Sequence, residues 1–364
     1  MRIAIDARIL PTSTGRYAQR LLEHLQVIDK NNDYLVLLDK EGYGRWRPIS
    51  PNFQKILAPY SMYGSDGQIK MARLLKKLRP DVTHFTFQQT ALPYRGKKVV
   101  TIHDLTQLRF KNVKGSRLVY GIKQRLLAAA MKRSAKSARL VITPTEFVKR
   151  DAMKRFKLPA GKIIVTYEAA EPSPDITPRP YPSLSGKRFA LYVGTAHAHK
   201  NLHRLVDAFA LLSRSDPTLA LVIVGRRSQF HERLERYVVA REIHGVVFTG
   251  FVEDAQLAWL YGHALFYVFP SLSEGFGLPG LEAMAYGTPV VSSHATCLPE
   301  VYGQAARYFD PNNTEDMAQK MLEVATNERL RRRLAQAGQQ QVARYSWRRM
   351  AEQTLAAYHQ AAGR

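Results

Sequence analysis

Short apolar runs alternate with amphipathic stretches along almost the whole chain. The runs are four to six residues long and rich in Val, Ile, Leu and aromatic residues, as buried strands are. Between them, apolar residues recur at spacings of three and four. In Arg16–Val27, for example, one helix face carries Tyr17, Leu21, Leu22 and Leu25. Strands that alternate with helices predict an α/β protein with parallel sheets covered on both faces.

This pattern predicts two sets of strands. The predicted strands are Arg2–Ala7, Tyr34–Leu38, Phe53–Leu57, Val82–Phe85, Val99–His103, Leu140–Thr143, Ile163–Tyr167, Phe189–Val193, Leu219–Val224, Val246–Thr249, Leu265–Phe269 and a strand that begins at Val290–Val291. The longest predicted helices are Arg117–Ser137, Glu328–Tyr345 and Trp347–Ala361.

The stretch 171–186 interrupts the alternation. It contains five prolines and few large apolar side chains, so we predict an interdomain linker that joins neither core. A length of 364 residues agrees with two domains. Each half reads as a Rossmann-like, doubly wound sheet, and ligands bind such sheets at the carboxyl ends of the strands. We therefore expect two such domains facing a central cleft that holds the site.

The segment 269–293 carries the clearest chemical signal: FPSLSEGFGLPGLEAMAYGTPVVSS. It predicts a strand end, a glycine-rich loop and a short helix that has Pro279 at its first position. The start of this helix exposes the backbone N–H groups of Gly277 and Leu278, which favour an anion such as phosphate. Glu274 on the loop and Glu282 in the helix flank this position. Together they fit a nucleotide sugar, with Glu282 on the ribose and Glu274 facing the sugar. The alternative is a tight glycine turn, with Glu282 as an acid that the helix dipole favours.

Two other loops in the second half carry cations. Lys200 follows the glycine loop that begins at Gly194 and can reach a diphosphate, while Asn201 can cap the next helix. Arg226 and Arg227 follow the strand Leu219–Val224, where a guanidinium suits a phosphate. Each of these cations can equally be an exposed surface residue.

Two residues in the first half stand where a strand ends. His103 ends the strand in VVTIHDL and can donate to a sugar hydroxyl or take part in proton transfer. The alternative is a buried histidine bonded to Asp104 or to backbone. Gly15, in STGRY, allows a close approach to a ligand phosphate.

Composition adds a basic surface. The net charge is +24, and between Lys114 and Lys162 there are 14 Lys and Arg against two acids, Glu146 and Asp151. Such a segment attracts anionic lipid, phosphate-bearing substrates or nucleic acid, and the alternative is a solvated basic face. The basic segments lack the interleaved aromatic residues of a stacking surface, which argues against nucleic acid.

Several classes of site are absent from the sequence. STGRY, after the first strand, is not GxGxxG, so a nicotinamide or flavin fingerprint is absent there. The sequence also has no Walker loop, no GxSxG elbow and no HExxH motif. His197 and His199 lack a third ligand nearby, so we expect no metal site. Cys297 is the only cysteine, which excludes an internal disulfide and fits a reducing cytoplasm. No apolar run is long enough for a membrane helix.

These motifs, in this order, resemble the retaining GT-B glycosyltransferases of family 4, the "glycosyl transferases group 1". The matching segments are IAIDAR…TGRY, VVTIHDL, ITPTEFVKRD, LYVGTAHAHKNL, LVIVG, FTGFVEDAQL, PSLSEGFGLPGLEAMAYGTPVVSS and LPEV. The chain is most similar to bacterial mannosyltransferases and rhamnosyltransferases of surface-polysaccharide assembly. The resemblance implies an N-terminal acceptor domain, 1–170, completed by the C-terminal helix 347–364, and a donor domain, 187–346.

The resemblance also implies residue roles. Glu282 binds the ribose, Glu274 contacts the donor sugar, and Lys200 neutralises the diphosphate. The remaining positions follow in the same way: the backbone of Phe276, Gly277 and Leu278 holds sugar and phosphate, His103 lies near the anomeric carbon, and Gly15 approaches the phosphates. Many family members carry an arginine where this chain has Thr195, so Arg226 or Arg227 is expected to replace its charge. The loop before Gly15 is also shorter than usual.

We therefore expect a hexosyltransferase that uses a nucleotide diphosphate sugar, without a cofactor or a required metal. GDP-mannose is the first candidate donor and a UDP-hexose, as in a glucosyl-type transferase, the second. The expected acceptor is a lipid-linked glycan or surface polysaccharide, met by a cytoplasmic enzyme whose basic N-terminal domain lies on the inner, anionic membrane surface. A nucleotide-sugar epimerase of the same architecture and a nucleic-acid-binding protein are the alternatives.

Overall fold

The computed structural model describes residues 1–10, 12, 15–62, 64–110, 117–172 and 175–363. Parts of four predicted features lie outside the described residues: the turn after the first strand, the basic segment that begins at Lys114, the proline-rich stretch 171–186 and the C-terminal helix 347–364. The chain forms two compact units. Unit 1 comprises residues 1–168 and 346–364, and unit 2 comprises residues 169–345.

Unit 1 contains a parallel sheet of seven strands in the order β3-β2-β1-β4-β5-β6-β7. Its strands are β1 Arg2–Asp6, β2 Asp33–Leu38, β3 Phe53–Leu57, β4 Val82–Phe85, β5 Lys98–Thr101, β6 Leu140–Thr143 and β7 Ile163–Val165. Its helices are α1 Gly15–Ile28, α2 Lys40–Arg45, α3 Ser65–Leu78, α4 Thr106–Arg109, α5 Arg117–Ser137, α6 Glu146–Phe156 and, at the end of the chain, α14 Trp347–Ala362.

Unit 2 contains a parallel sheet of six strands in the order β10-β9-β8-β11-β12-β13. Its strands are β8 Arg188–Val193, β9 Leu219–Val224, β10 Val246–Gly250, β11 Phe266–Phe269, β12 Val290–Ser293 and β13 Ala306–Phe309. Its helices are α7 Leu202–Ser215, α8 Gln229–Ala240, α9 Asp254–His263, α10 Leu278–Ala285, α11 Leu298–Tyr302, α12 Thr314–Thr326 and α13 Glu328–Val342.

In both units the central strands are buried on both faces, which explains their continuous apolar sequences. Every residue of β4, β5, β11 and β12 is buried. The predicted α/β class with two Rossmann-like parallel sheets is therefore confirmed. Because each sheet is parallel, the loops after its strands gather at one edge, and the candidate residues of each unit lie in those loops or in the helices that follow them.

Four short elements lie outside the sequence prediction. They are α2, α4, α11 and β13, each of four to six residues, too short to show a helical or strand period. Two predicted strands extend two residues too far, because β5 ends at Thr101 and β7 ends at Val165. The end of β5 leaves His103 in the following loop.

The described part of the proline-rich stretch belongs to unit 2 and packs against other elements of that unit. Arg179 N–H donates to the Ala255 carbonyl at 2.9 Å, and Leu184 is 1% exposed. The expectation that this stretch joins neither core is therefore wrong at Leu184, which the short 3₁₀ turn Pro182–Leu184 directs inward.

Candidate active site

The loop between β11 and α10 is held by a buried tyrosine. Gly277 has φ +97°, a left-handed conformation that favours glycine, and Tyr302 Oη donates to its carbonyl at 2.5 Å. A Cβ at Gly280 would lie 2.3 Å from the same Tyr302 oxygen. The close packing of this tyrosine explains why the loop needs glycines. It also fixes where α10 begins, at Leu278, so Pro279 is the second residue of the helix and not the first.

Lys200 and Glu274 form an ion pair, with Nζ donating to Oε1 at 2.6 Å. Their side chains are only 17% and 14% exposed, so water screens the pair less than a surface pair. Lys200 Nζ also lies 5.6 Å from the centre of the Phe269 ring. The two residues that the sequence assigned separately to diphosphate and sugar thus meet in one place.

Asn201 ties the two loops that carry this pair. It adopts a left-handed conformation with φ +61°, and its Nδ2 donates to the carbonyls of Pro270 at 3.1 Å and Pro311 at 2.7 Å. Leu272 N–H donates to the His199 carbonyl at 2.7 Å. Asn201 occupies the N-cap position of α7, but its side chain does not cap the helix, so that expectation is corrected. The amide instead joins two strand-end loops of the sheet.

The backbone of Glu274 is anchored by a threonine. Its N–H donates to Thr296 Oγ1 at 3.1 Å, and Thr296 itself has φ +55°. Phe276 points inward, is 5% exposed and meets the Tyr345 ring edge-on at 5.6 Å between centroids. The side chain of Phe276 therefore belongs to the core, which leaves its backbone for the predicted contact with a ligand.

Glu282 is held by a tyrosine from the neighbouring helix. Tyr261 Oη donates to Glu282 Oε2 at 3.0 Å, and the Tyr261 ring stacks on Tyr286 at 5.6 Å. This contact fixes the carboxylate of Glu282 on the second turn of α10. Sequence reasoning missed Tyr261, because α9 and α10 are separate elements in the sequence and nothing in the pattern pairs them.

Buried phenols surround the ion pair. Burial raises the pKa of Tyr192, Tyr267 and Tyr302 well above 10, and the negative charge of Glu274 adds to this in each case. Burial likewise raises the pKa of the Cys297 thiol. These groups remain neutral, so Lys200 and Glu274 supply the formal charges at this part of the site.

Arg227 lies at a different strand end, after β9. It pairs with Glu235 at 2.9 Å and lines a cavity of about 310 Å³. The same cavity is lined by Ile223, Gly225, His231, Phe248, Thr249 and Gly250. Arg226 instead lies over the exposed Phe251 ring, 5.2 Å from its centre. The two guanidinium groups thus contact Glu235 and Phe251, so replacement of the charge missing at Thr195 stays a prediction.

In unit 1, Gly15 and His103 lie at the carboxyl edge of the sheet. A Cβ on Gly15 would stand 2.2 Å from the Leu10 carbonyl oxygen, so local packing alone requires the glycine. Tyr17, on the first turn of α1, meets the His103 ring edge-on at 4.8 Å. Local packing therefore explains why residue 15 is a glycine, and its approach to a phosphate stays a prediction.

His103 is buried, as the alternative reading expected, but one of its partners differs. Its Nε2 donates to the Thr86 carbonyl at 2.9 Å, and its Nδ1 faces Glu168 Oε1 at 3.3 Å. Asp104 instead accepts from the backbone N–H of Thr106 at 2.8 Å. Glu168 was missed, although its place three residues after β7 is the signal that could have found it.

Within the described residues, no group of three or more His, Cys, Asp or Glu side chains could hold a metal ion. In that same part of the chain, no helix combines the length and apolarity that crossing a membrane requires. The expectations of no metal and no cofactor stay predictions.

Comparison with known proteins identifies relatives of both halves of the chain. The family described as "Glycosyl transferases group 1" matches residues 175–341, and "Glycosyltransferase Family 4" matches residues 34–173. The O-antigen chain mannosyltransferase B of Escherichia coli is 32% identical over 279 residues, which cover 73% of this chain and 71% of that protein.

More distant matches agree. The O-antigen chain mannosyltransferase RfbU of Salmonella typhimurium is 29% identical over 232 residues, 64% of this chain and 60% of that protein. The structure of sucrose-phosphate synthase from Thermosynechococcus elongatus aligns with a TM-score of 0.80 over 99% of this chain and 98% of that chain. At 19% identity, the match to sucrose-phosphate synthase concerns the fold alone.

Proposed function

The chain belongs to the glycosyl transferases group 1 family and is a glycosyltransferase, and we propose that it moves a hexose from a nucleoside diphosphate sugar to an acceptor hydroxyl with retention at the anomeric carbon. The observation that carries this proposal is the ion pair of Lys200 with Glu274 on the loop that leads into the N-terminus of α10. A cation and free backbone donors at one place suit a diphosphate.

In this proposal, some residues stabilise the leaving diphosphate and others bind the sugar. The bond from the anomeric carbon to the diphosphate oxygen breaks, and negative charge develops on that oxygen. Lys200 and the backbone N–H groups at Gly277 and Leu278 are fixed in place before the reaction and would stabilise this charge. Binding of the diphosphate would draw Lys200 Nζ away from Glu274, which frees the carboxylate to accept hydrogen bonds from hydroxyl groups of the sugar.

The acceptor oxygen then bonds to the anomeric carbon, and its proton passes to the departing phosphate on the same face. Two carboxylates placed as in a retaining glycosidase are not needed for this route. Glu282, oriented by Tyr261, would accept from the ribose hydroxyls. His103 of unit 1 is proposed to act on the sugar near the anomeric carbon.

Mannose is the sugar that the relatives favour. Both curated relatives are named as O-antigen chain mannosyltransferases, so GDP-mannose is our first candidate donor. A UDP-hexose is the second. The same names support an acceptor in polysaccharide assembly, either lipid-linked or a growing glycan.

The basic segment suggests where such an acceptor is met. Between residues 117 and 162 the described chain holds 13 Lys and Arg against two acids, Glu146 and Asp151. We propose that this surface rests on an anionic membrane at its cytoplasmic face, where a lipid-linked acceptor is exposed.

A donor panel tests the proposal. The full chain is mixed separately with GDP-mannose, UDP-glucose and a dTDP-hexose, and the melting temperature and nucleotide release are measured. We expect GDP-mannose to raise the melting temperature most, and Glu282→Ala to reduce that rise. A rise with UDP-glucose alone would support the glucosyl-type alternative. Conversion of the donor sugar without any acceptor would instead indicate an epimerase, and no response to any donor would contradict the proposal.

A further inference from the structure

Both ring nitrogens of His103 are engaged, and the partners differ in kind. Nε2 lies 2.9 Å from the Thr86 carbonyl oxygen and Nδ1 lies 3.3 Å from Glu168 Oε1. The two side chains are 10% and 7% exposed, so little water competes for either contact. The ring orientation is therefore set from both sides by the strand-end loops after β4 and β7.

The chemistry of these partners fixes the number of protons. A carbonyl oxygen can only accept, so Nε2 must carry a hydrogen. If His103 were neutral, Nδ1 would present a lone pair to the Glu168 carboxylate, and the two would repel each other. The contact is favourable only when a proton lies between them, and because imidazole is the stronger base of the two groups, that proton makes His103 an imidazolium beside an ionised carboxylate.

The other groups around the His103 ring do not favour its neutral form over the imidazolium. Tyr17 presents a ring edge at 4.8 Å, Phe87 lies at 6.3 Å between centroids, and Asp104 is the other nearby carboxylate. His84 is the nearby basic group, and burial lowers its pKa to about 3, so it stays uncharged. For His103 itself, burial alone would lower the pKa, but the hydrogen bond and charge of Glu168, with the Thr86 carbonyl, raise it above 6.5.

We propose that Glu168 is a positioning residue for glycosyl transfer: it holds His103 as an oriented imidazolium, which meets the substrate as a fixed cation and not as a proton acceptor. This inference rests on the proposed function, because it concerns what His103 contributes to that reaction. It also agrees with a route in which the departing phosphate takes the acceptor's proton, since an imidazolium has no lone pair to offer.

The pH dependence follows from the raised pKa. Protonated His103 stabilises unit 1 fully below the pKa that it has in the unfolded chain. This stabilisation is lost as the pH rises through the higher pKa of the folded state. In the folded enzyme, the loss of that proton leaves Glu168 as a buried, uncompensated charge, so both activity and stability decline on the alkaline side.

Nuclear magnetic resonance of histidine rings tests the protonation without any substrate. The full chain is labelled with ¹⁵N-histidine, and the His103 signals are assigned by their absence in His103→Gln. We expect two ring N–H groups on His103 at neutral pH in the unsubstituted protein. We expect Glu168→Gln to make His103 titrate at a lower pH, while Glu171→Gln, an exposed acid three residues further on, leaves it unchanged.

Kinetics test the consequence for catalysis. We expect Glu168→Gln to lower kcat by about 10- to 100-fold, the range found for carboxylates that orient metal-binding histidines. The KM for the nucleotide sugar should change little, the alkaline limb of the pH profile should move to lower pH, and Glu168→Asp should restore part of the activity.

Two outcomes would overturn the inference. One is a single ring N–H on His103 at neutral pH in the unsubstituted protein, a result that requires no folded variant. The other is an unchanged His103 titration in Glu168→Gln. Because neither depends on turnover, failure of this inference is distinguishable from failure of the proposed glycosyl transfer.

Discussion

At the scale of single residues, the ion pair of Lys200 and Glu274 joins positions 74 residues apart. Each residue could be recognised from its own motif, a lysine after a glycine loop and an acid before a helix. Their contact could not, because it depends on β8 and β11 being neighbours in the sheet although two strands separate them along the chain. Glu168 was missed for the same reason, since its partner His103 lies 65 residues earlier.

The ion pair gives a direct mutational test. Lys200→Ala removes a donor that is fixed before charge develops on the leaving group, so we expect kcat to fall on the order of 10²–10³-fold. The matched control is Lys320→Ala, because Lys320 has a similar exposure, 19%, and pairs with Glu323 at 3.0 Å on α12. Steady-state kinetics of both variants decide the matter. Equal activity in the two would remove Lys200 from the site.

A second residue-scale prediction concerns stability in acid. His84 is fully buried between Tyr358 Oη at 2.7 Å and Thr101 Oγ1 at 2.8 Å. Burial, with a further contribution from the charge of His103, lowers its pKa from 6.5 to about 3. Below pH 6.5, His84 therefore binds a proton in the unfolded chain but stays neutral in the folded chain. Stability should fall by about 1.4 kcal/mol for each pH unit below that point.

The measurement compares unfolding in urea at pH 7 and pH 5, followed by hydrogen exchange of β4 and β5. We expect the unsubstituted protein to lose about 2 kcal/mol more than His84→Gln over this interval, because glutamine keeps a polar partner but does not titrate. An equal loss in the two proteins would show that His84 is not the group responsible.

At the scale of elements, the pattern of hydrophobic positions located the longer helices and nearly all the strands of both sheets. It missed elements without a full period, such as α11 and β13. It also missed what fixes the start of α10, which is the Tyr302 hydroxyl and not the proline. A glycine-rich sequence indicates a turn, but the side chain packed against that turn comes from another element.

The packing at α10 predicts opposite effects for two helical glycines. In Gly280→Ala the new Cβ would lie 2.3 Å from Tyr302 Oη and 2.6 Å from Cζ, so the tyrosine and the loop must shift. We expect unit 2 to lose about 1–3 kcal/mol and nucleotide binding to weaken. Gly262→Ala on α9 meets nothing within 4 Å and should be neutral or gain up to about 1 kcal/mol. Thermal unfolding and donor titration of both variants test this, and similar behaviour would contradict the role of Tyr302.

At the scale of the whole molecule, the charge of +24 is the property that catalysis alone does not explain. The division into two units could be anticipated from the proline-rich stretch, but the packing of that stretch on unit 2 could not, because a single buried leucine and a few backbone contacts decide it. The clustering of basic residues is visible in the sequence, whereas the molecule that this basic surface binds must be identified by experiment.

Vesicle binding tests the membrane proposal. We expect simultaneous substitution of Arg133, Lys136 and Arg139 by glutamine to weaken binding to anionic vesicles, since each basic residue near such a surface contributes about 1 kcal/mol. The control replaces three exposed arginines of α13 in unit 2, namely Arg329, Arg332 and Arg333. Co-sedimentation at low and physiological salt compares the two. Equal binding would assign the charge to solubility alone.

The most direct test of the central claim is a crystal of the full chain soaked with GDP-mannose. We expect density for the diphosphate at Lys200 Nζ and the N–H group of Leu278, with the ribose on Glu282. Donor density at another place, or none at saturating concentration, would contradict the account of how this chain holds an activated sugar.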